Sequence, residues 1–140
     1  MEKAKKPTSC YCLKIRRANA DVVSFYDKSL KESGVTIQQF SLLLNISKAE
    51  KGTLSELAEM AELDRSTLAR NIKPLLSKKL VYDAKPHGAR DSKLTLTDDG
   101  KKTLKLAQKL WENAQKNLSH ALGEVGIAEL EKVLKTLESL

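Results

Sequence analysis

Between residues 65 and 93 the chain concentrates side chains that hydrogen-bond to anions and to flat polar edges. This segment carries eight basic and two acidic residues, a net charge of +6, out of +7 for the whole chain of 140 residues. Arginine can grip guanine at two points, asparagine can do so with adenine, and serine, threonine and lysine hold phosphates or base edges. The candidates are Ser66, Thr67, Arg70, Asn71 and Lys73, followed by Arg90 and Lys93. They predict a surface that binds double-stranded DNA, with a merely solvated basic face as the alternative.

A helix would bring the first five of these residues onto one surface. At about 100° per residue, Leu68, Ile72 and Leu75 point in nearly one direction, which is that of a buried face. Arg70 then points outward at about 200°. The other four side chains lie around it, with Ser66 and Lys73 on the outward side and Thr67 and Asn71 at the flanks. This outward face is the predicted recognition surface.

The elements around this surface read as a helix-turn-helix. Thr53 with Glu56 forms a capping box that predicts a helix of about two turns, and residues 62–64 make a short connection. Asp64 or Ser66 caps the next helix, which we call the recognition helix and in which Leu76 is also expected to point inward. Pro74 removes a backbone donor there, so we expect a kink near residues 70–73 at which the recognition segment effectively ends.

A β-hairpin is predicted after the recognition helix. The run Val81–Tyr82 and the alternation of residues 94–97 are typical of two strands, and Pro86 and Gly88 mark the turn between them. Arg90 and Lys93 stand beside this tip. A protruding hairpin can carry such side chains to the DNA backbone or into the minor groove, as a wing.

Helices flank this predicted winged helix-turn-helix on both sides. A first helix over residues 12–33 ends near Gly34, and a second opens with the capping box of Thr36 and Gln39 and ends at residues 51–52. A long helix over residues 98–121 is broken at Gly123 and Gly126 and followed by a last helix over 126–140, whose inward residues include Leu130, Leu134 and Leu137. These apolar stripes need a partner, which favours a homodimer over a small monomeric bundle.

The chain therefore reads as mainly α with a small β-hairpin, a single domain over 1–140. Residues 35–97 form the DNA-binding part, and residues 10–34 and 98–140 form the helical dimerisation part.

The polar, basic opening and the lack of a long apolar run predict no signal peptide, no membrane span and a cytoplasmic location. No phosphate loop, nucleophile elbow or paired carboxylates indicate an enzyme, and no metal or cofactor is expected. A winged helix that binds another protein rather than specific DNA is the alternative, and salt-sensitive DNA binding would separate the two.

Three stretches carry a resemblance to a known family. They are LSELAEMAELDRSTLAR (54–70), LLSKKLV (75–81) and LTDDG (96–100), in an order of elements that resembles the MarR (multiple antibiotic resistance regulator) family. The resemblance implies a dimeric winged helix-turn-helix regulator, usually a repressor, that binds pseudopalindromic operators and is released by small phenolic ligands or by oxidation. Arg90 matches the arginine of the family's Asp-x-Arg wing motif, but Gly88 stands in place of the aspartate.

Cys12 and Cys10 are candidates for redox sensing. Cys12 opens the first helix close to Lys14, Arg16 and Arg17, whose charges favour the thiolate. Its position resembles that of the reactive cysteine of the organic hydroperoxide sensors in this family. Those sensors orient the cysteine with two tyrosines, where this chain has Ile37 and Phe40, so that Tyr11 or Tyr26 would have to substitute. A pair of inert thiols is the other interpretation.

Overall fold

The computed structural model describes residues 4–140; residues 1–3, at the start of the basic opening segment, lie outside the described residues. In chain order the elements are α1 (Tyr11–Ser29), α2 (Ile37–Lys48), α3 (Leu54–Ala61), α4 (Arg65–Ser77), β1 (Val81–Asp83), β2 (Leu94–Leu96) and α5 (Asp98–Glu138), with a 3₁₀ turn at Lys31–Ser33. Strands β1 and β2 pair antiparallel, with Val81 opposite Leu96. The predicted class, mainly α with a small β-hairpin, is confirmed.

The core lies where α2, α3, α4, the hairpin and α5 meet. Leu43 of α2, Leu57 of α3 and both Leu68 and Leu75 of α4 are fully buried in it. The rings of Phe40 and Trp111 lie 6.1 Å apart between centroids and join α2 to α5. Tyr26 of α1 donates a hydrogen bond to Gln115 of α5, and burial raises the pKa of this phenol. Several elements thus share one apolar centre.

The predicted helix starts are largely confirmed. Thr36 and Gln39 form the reciprocal capping box at α2. Thr53 accepts from the Glu56 backbone N–H at 3.1 Å, but the box is not closed there. The Glu56 carboxylate instead accepts from the backbone N–H groups of Lys51 and Gly52, both at 3.1 Å. Helix α2 ends at Lys48 rather than at the predicted residues 51–52, so the N–H groups of Lys51 and Gly52 lie outside the helix. They are therefore available to donate to Glu56.

Two expectations for α4 are wrong. Leu76 is 40% exposed, whereas Leu68, Ile72 and Leu75 are buried as predicted. The helix also continues through Pro74 to Ser77, so the recognition segment does not end at residues 70–73. Proline removes only one backbone donor, and the helix beyond it is closed by hydrogen bonds from Lys78 N to Pro74 O and from Leu80 N to Leu75 O, each 3.0 Å.

The segment before α3 runs along the edge of the hairpin. Leu94 of β2 donates its N–H to the carbonyl of Gly52 at 2.9 Å. A Cβ at Gly52 would lie 2.7 Å from the Leu94 carbonyl oxygen, and the residue has φ of +71°. Only glycine accommodates both the close approach and the left-handed backbone. This contact fixes the hairpin against the turn that leads into α3.

Helix α5 is interrupted once. Gly123, with φ of 74° and ψ of 169°, is non-helical, as predicted, and divides the helix into residues 98–122 and 124–138. The predicted second break at Gly126 is wrong, because the backbone there is helical. Ala107 and Ala114 are buried, but Ala121, seven residues farther along the helix, is exposed. The core contacts of α5 therefore fade before Gly123.

Asp64 caps α4, and its ionisation generates a pH dependence. Its carboxylate accepts from the Thr67 backbone N–H and from the hydroxyls of Ser66 and Thr67, which lowers its pKa from the ordinary 3.8 to about 2. Because the folded pKa lies below the unfolded one, the stabilisation by ionised Asp64 is complete above about pH 4 and is lost as the pH falls from about 4 to 2.

We predict that Asp64→Asn lowers the melting temperature at neutral pH, because asparagine keeps an acceptor but no charge. The difference from wild type should stay constant down to about pH 4 and shrink toward pH 2. Thermal denaturation followed by circular dichroism at a series of pH values measures it. A difference that does not change with pH would contradict this role of Asp64.

Candidate nucleic-acid interface

The outward face of α4 carries the residues that the sequence singled out. Packing of Leu68, Ile72 and Leu75 into the core fixes the rotation of the helix. Ser66, Arg70 and Lys73 are consequently exposed, and Thr67 is half-buried at the border. The 13-residue helix brings these polar side chains together on one solvent-facing surface.

A hydrogen-bond chain organises the start of this surface. The Ser66 hydroxyl donates to Asp64 Oδ1 at 2.7 Å, and the Thr67 hydroxyl donates to Asp64 Oδ2 at 3.0 Å. Arg70 Nη2 in turn donates to Thr67 Oγ1 at 3.3 Å. Both hydroxyl protons are therefore already used within the protein, whereas a guanidinium has five N–H donors and Arg70 keeps most of them for an external acceptor.

Asn71 differs from its neighbours. It is half-buried, and its Nδ2 is buried without a hydrogen-bond partner among residues 4–140. A buried donor left without an acceptor costs about 1–3 kcal/mol. In this structure the amide nitrogen of Asn71 is therefore not directed outward, and contact with a base edge would require rotation of the side chain.

The base of the hairpin is held by Asp83, a residue that the sequence reasoning did not single out. Its Oδ1 accepts from the backbone N–H groups of Lys93 at 2.9 Å and of Lys85 at 3.1 Å. The N–H of Lys93 is the main cause of the lowered pKa of this carboxyl. The signal in the sequence was an aspartate at the end of a strand, a position from which it can hydrogen-bond the backbone two residues on.

Arg90 and Lys93 are both exposed on the connection between β1 and β2. The tip turns at Pro86, whose carbonyl accepts from the Ala89 N–H at 2.9 Å. Among residues 4–140 neither Arg90 nor Lys93 forms an ion pair. With Gly88 where the family motif has aspartate, no carboxylate of residues 4–140 pairs with the Arg90 guanidinium.

The two cysteines lie on another part of the molecule. Cys10 caps α1 and Cys12 follows in its first turn, and both are exposed free thiols. Helix α1 packs against α5 and α2. Tyr26, one of the two tyrosines considered as partners for Cys12, is engaged with Gln115, while Tyr11 is exposed beneath the ammonium group of Lys14.

Residues 4–140 contain no group of three or more histidine, cysteine, aspartate or glutamate side chains arranged to hold a metal ion. No helix within the same residues is long and apolar enough to cross a membrane.

The chain is similar in sequence and in fold to known proteins. A model of the MarR family matches residues 35–87. The M. tuberculosis transcriptional regulator MosR, in its complex with DNA, is 32% identical with a TM-score of 0.72, over 92% of this chain and 98% of that one. The transcriptional regulator TcaR of Staphylococcus aureus is 26% identical over 126 residues, which is 88% of this chain and 83% of the relative. The repressor CouR bound to p-coumaroyl-CoA shares the fold, with a TM-score of 0.80 at 23% identity over 92% of this chain and 91% of that chain.

The family match covers α2, α3, the recognition helix and the start of the wing, and the MosR match extends this likeness to nearly the whole chain. The fold is that of transcriptional regulators and not of enzymes. The chain therefore belongs to the MarR family of winged-helix transcriptional regulators, which bind DNA.

Proposed function

We propose that this protein is a homodimeric repressor that binds a pseudopalindromic operator through α4 and the wing. Residues 35–97 are its DNA-binding part, and residues 10–34 and 98–140 are its dimerisation part. The observation that carries the proposal is the exposed face of Ser66, Arg70 and Lys73, on a helix whose other face is fixed in the core. The likeness to the DNA-bound MosR supports it.

In this proposal Arg70 contacts a base, and the neighbouring side chains contact the DNA backbone or the adjacent base edges. The Thr67 hydroxyl already steadies the guanidinium, which lowers the entropy lost when Arg70 meets a guanine. Lys73 holds a phosphate or a base edge. The Ser66 and Thr67 hydroxyls, whose protons go to Asp64 in the free protein, turn them to phosphates or accept from a base-edge amino group. Asn71 rotates outward to adenine, and its Nδ2 gains in DNA the acceptor that it lacks in the free protein.

The wing supplies electrostatic contacts. Arg90 and Lys93 are exposed and have no carboxylate partner among residues 4–140, so their full charges are available to phosphates or to a narrow minor groove. Contacts of this kind strengthen binding to all sequences and make it depend on salt. Asp83 holds the ends of the connection that carries them.

We predict that Arg70→Ala weakens binding to an operator selected from random duplexes by about 1–3 kcal/mol and affects random DNA less, because a base contact is lost. Fluorescence anisotropy with labelled duplexes measures both affinities. Lys116→Ala, which removes one exposed charge from α5 outside the proposed interface, is the matched control. Equal operator affinity of Arg70→Ala and wild type would exclude Arg70 from the site.

The homodimer is proposed from apolar side chains that one protomer leaves exposed. Leu130, Val133, Leu134 and Leu137 of α5 are between 37% and 50% exposed, and Leu13, Ile15 and Val22 of α1 are exposed to a similar degree. The four α5 side chains recur at intervals of three and four and therefore share one face of the helix, and an exposed apolar face of this kind marks a protein interface. A two-fold symmetric pair of such chains would present two recognition helices to two half-sites about 34 Å apart.

We predict that wild type has twice the 15.6 kDa mass of one chain in light scattering at micromolar concentration. Leu134→Asp should shift the protein toward monomer, because the interface would bury an unpaired charge. Lys132→Asp, on the opposite side of the same helix turn, should leave the mass unchanged. A wild-type monomer at this concentration would contradict the dimer.

Release from DNA is proposed to follow either a small phenolic ligand or oxidation of Cys12. The likeness of the fold to CouR, which was solved with p-coumaroyl-CoA, supports the first route. The second route rests on the exposed Cys12 thiol in the first turn of α1, near the positive end of the helix and three basic residues, with Cys10 as a nearby second thiol. An organic hydroperoxide would convert the Cys12 thiol to a sulfenic acid, and the hydroperoxide would leave as the alcohol.

We predict for the oxidation route that stoichiometric cumene hydroperoxide releases wild-type protein and Cys10→Ser from DNA but not Cys12→Ser. Fluorescence anisotropy of labelled DNA follows the release. If Cys12→Ser is also released, or if wild type stays bound, Cys12 is not the sensor and release by a ligand is the remaining route.

A further inference from the structure

We propose that Lys78, at the end of α4, is a positioning residue for operator binding. Its side chain holds the recognition helix against the connection between α1 and α2, and thereby sets the separation and tilt of the two recognition helices in the homodimer. Lys78 is one of the eight basic residues between 65 and 93, and its charge alone would favour a phosphate contact. The inference rests on the proposed homodimer on a pseudopalindromic operator, but the contact that it describes lies within one protomer.

The ammonium group of Lys78 lies at the α1–α2 connection. Its Nζ donates to the Gly34 carbonyl at 2.9 Å and to Gln39 Oε1 at 3.3 Å, which we call the Lys78 contact. Two of the three N–H donors of the ammonium are therefore used within the protein. Because the donor is charged, these hydrogen bonds are stronger than those between neutral groups.

Both acceptors belong to a segment that is fixed from two sides. Gly34 ends the 3₁₀ turn in the left-handed conformation, and this turn packs against α5. Gln39 closes the capping box of α2, where its Oε1 also accepts from the Thr36 N–H at 3.0 Å. The Ile37 N–H donates to Asp27 of α1 at 2.8 Å. The connection is therefore tied to α1 and α5, the helices of the proposed dimerisation part.

The backbone at the other end of the contact is also fixed. Lys78 is the C-cap of α4, and its N–H donates to the Pro74 carbonyl at 3.0 Å. Leu75 and Leu80, which a backbone hydrogen bond of 3.0 Å joins, are buried on the core side of the same turn. Movement of this end of α4 relative to α1 and α5 would therefore stretch or break the Lys78 contact.

The neighbouring Lys79 separates the effect of charge from the effect of position. It is exposed like Lys78, and its carbonyl accepts from the Thr97 hydroxyl at 2.7 Å. Replacement of the Lys79 side chain removes the same charge from the end of α4 but leaves the Lys78 contact in place.

Two-fold symmetry makes operator binding sensitive to the contact. The half-sites lie about 34 Å apart, and both recognition helices must meet them at once. Without the contact, each α4 samples a wider range of tilts relative to α1 and α5, and binding must then restrict both helices. A single half-site makes no such demand, because one α4 can follow it freely. The contact therefore acts on the affinity for a whole operator and on the preferred spacing of its half-sites.

The first experiment tests the contact without DNA, by hydrogen–deuterium exchange of the whole protein followed by mass spectrometry. Lys78→Met keeps the unbranched stem but has no donor and no charge, and Lys79→Met is the matched control. We expect exchange about threefold faster in Lys78→Met at residues 31–39 and 76–80, as for the loss of an exposed charged contact. The middle of α5 should not change.

Lys78→Arg, which restores a long cationic donor, and Lys79→Met should both exchange as wild type does. Equal exchange in Lys78→Met and wild type would overturn the inference, because the contact would then hold neither segment.

The second experiment compares three labelled duplexes by fluorescence anisotropy. They are an operator selected from random duplexes, one of its half-sites, and the operator with one base pair inserted between the half-sites, which shifts one half-site by about 3.4 Å and rotates it by about 35°. We expect Lys78→Met to bind the operator about tenfold more weakly than Lys79→Met does, about threefold for each protomer. The two variants should bind the half-site equally.

The inserted base pair should weaken the binding of Lys78→Met less than that of wild type, Lys78→Arg or Lys79→Met. An equal effect of the insertion on all four proteins would overturn the inference. So would equal weakening of operator and half-site in Lys78→Met with a smaller salt dependence, since Lys78 would then contact a phosphate. Wild type that binds operator and half-site equally tightly would contradict the proposed dimeric binding and with it this role of Lys78. The exchange experiment shows in that case whether the contact itself exists.

Discussion

The hydroxyl of Thr97 connects the three elements on which a DNA-binding surface depends. It accepts from the Gly100 N–H at 2.9 Å, which starts α5, and donates to the Lys79 carbonyl at 2.7 Å, just after α4. The Thr97 N–H donates to the Leu80 carbonyl at 3.0 Å, so that β2 ends directly beside the start of β1. The end of the recognition helix, the base of the wing and the start of the long helix are thereby held at one place. Their separation cannot change without breaking these hydrogen bonds, and the orientation of α4 relative to the wing is fixed before any DNA arrives.

Two aspartates organise this otherwise basic surface. Asp64 accepts hydrogen bonds from the hydroxyls of Ser66 and Thr67 at the start of α4. Asp83 accepts hydrogen bonds from two backbone N–H groups at the base of the wing. Both carboxylates accept hydrogen bonds from neighbouring groups, and within residues 4–140 neither forms an ion pair with Arg70, Arg90 or Lys93. The surface therefore keeps its positive charge for an external anion while its backbone is held in place.

The sequence predicted the elements whose signals are local. Periodic burial at Leu68, Ile72 and Leu75, the caps at Thr36 and Asp64, and the break at Gly123 are each determined within a few residues, and all were predicted. Leu76, Pro74 and Glu56 differ from the predictions because the local pattern at each position allows more than one arrangement. The sequence could not show that Glu56 would accept from the N–H groups of the incoming turn, or that Asp83 would hold the backbone of both Lys85 and Lys93.

The central claim is that α4 and the wing together form one phosphate-binding surface, and the salt dependence of DNA affinity tests it most directly. Each phosphate contact contributes about 0.9 to the slope of log affinity against log salt concentration. The double variant Arg90→Gln/Lys93→Gln removes two contacts from each protomer, which is four from the dimer. It should therefore reduce the slope by about 3.6 and weaken binding to all sequences, while Lys102→Gln/Lys116→Gln leaves the slope unchanged. If the wing variant keeps the wild-type slope and folds normally, the wing does not touch DNA and the account of a joint surface is wrong.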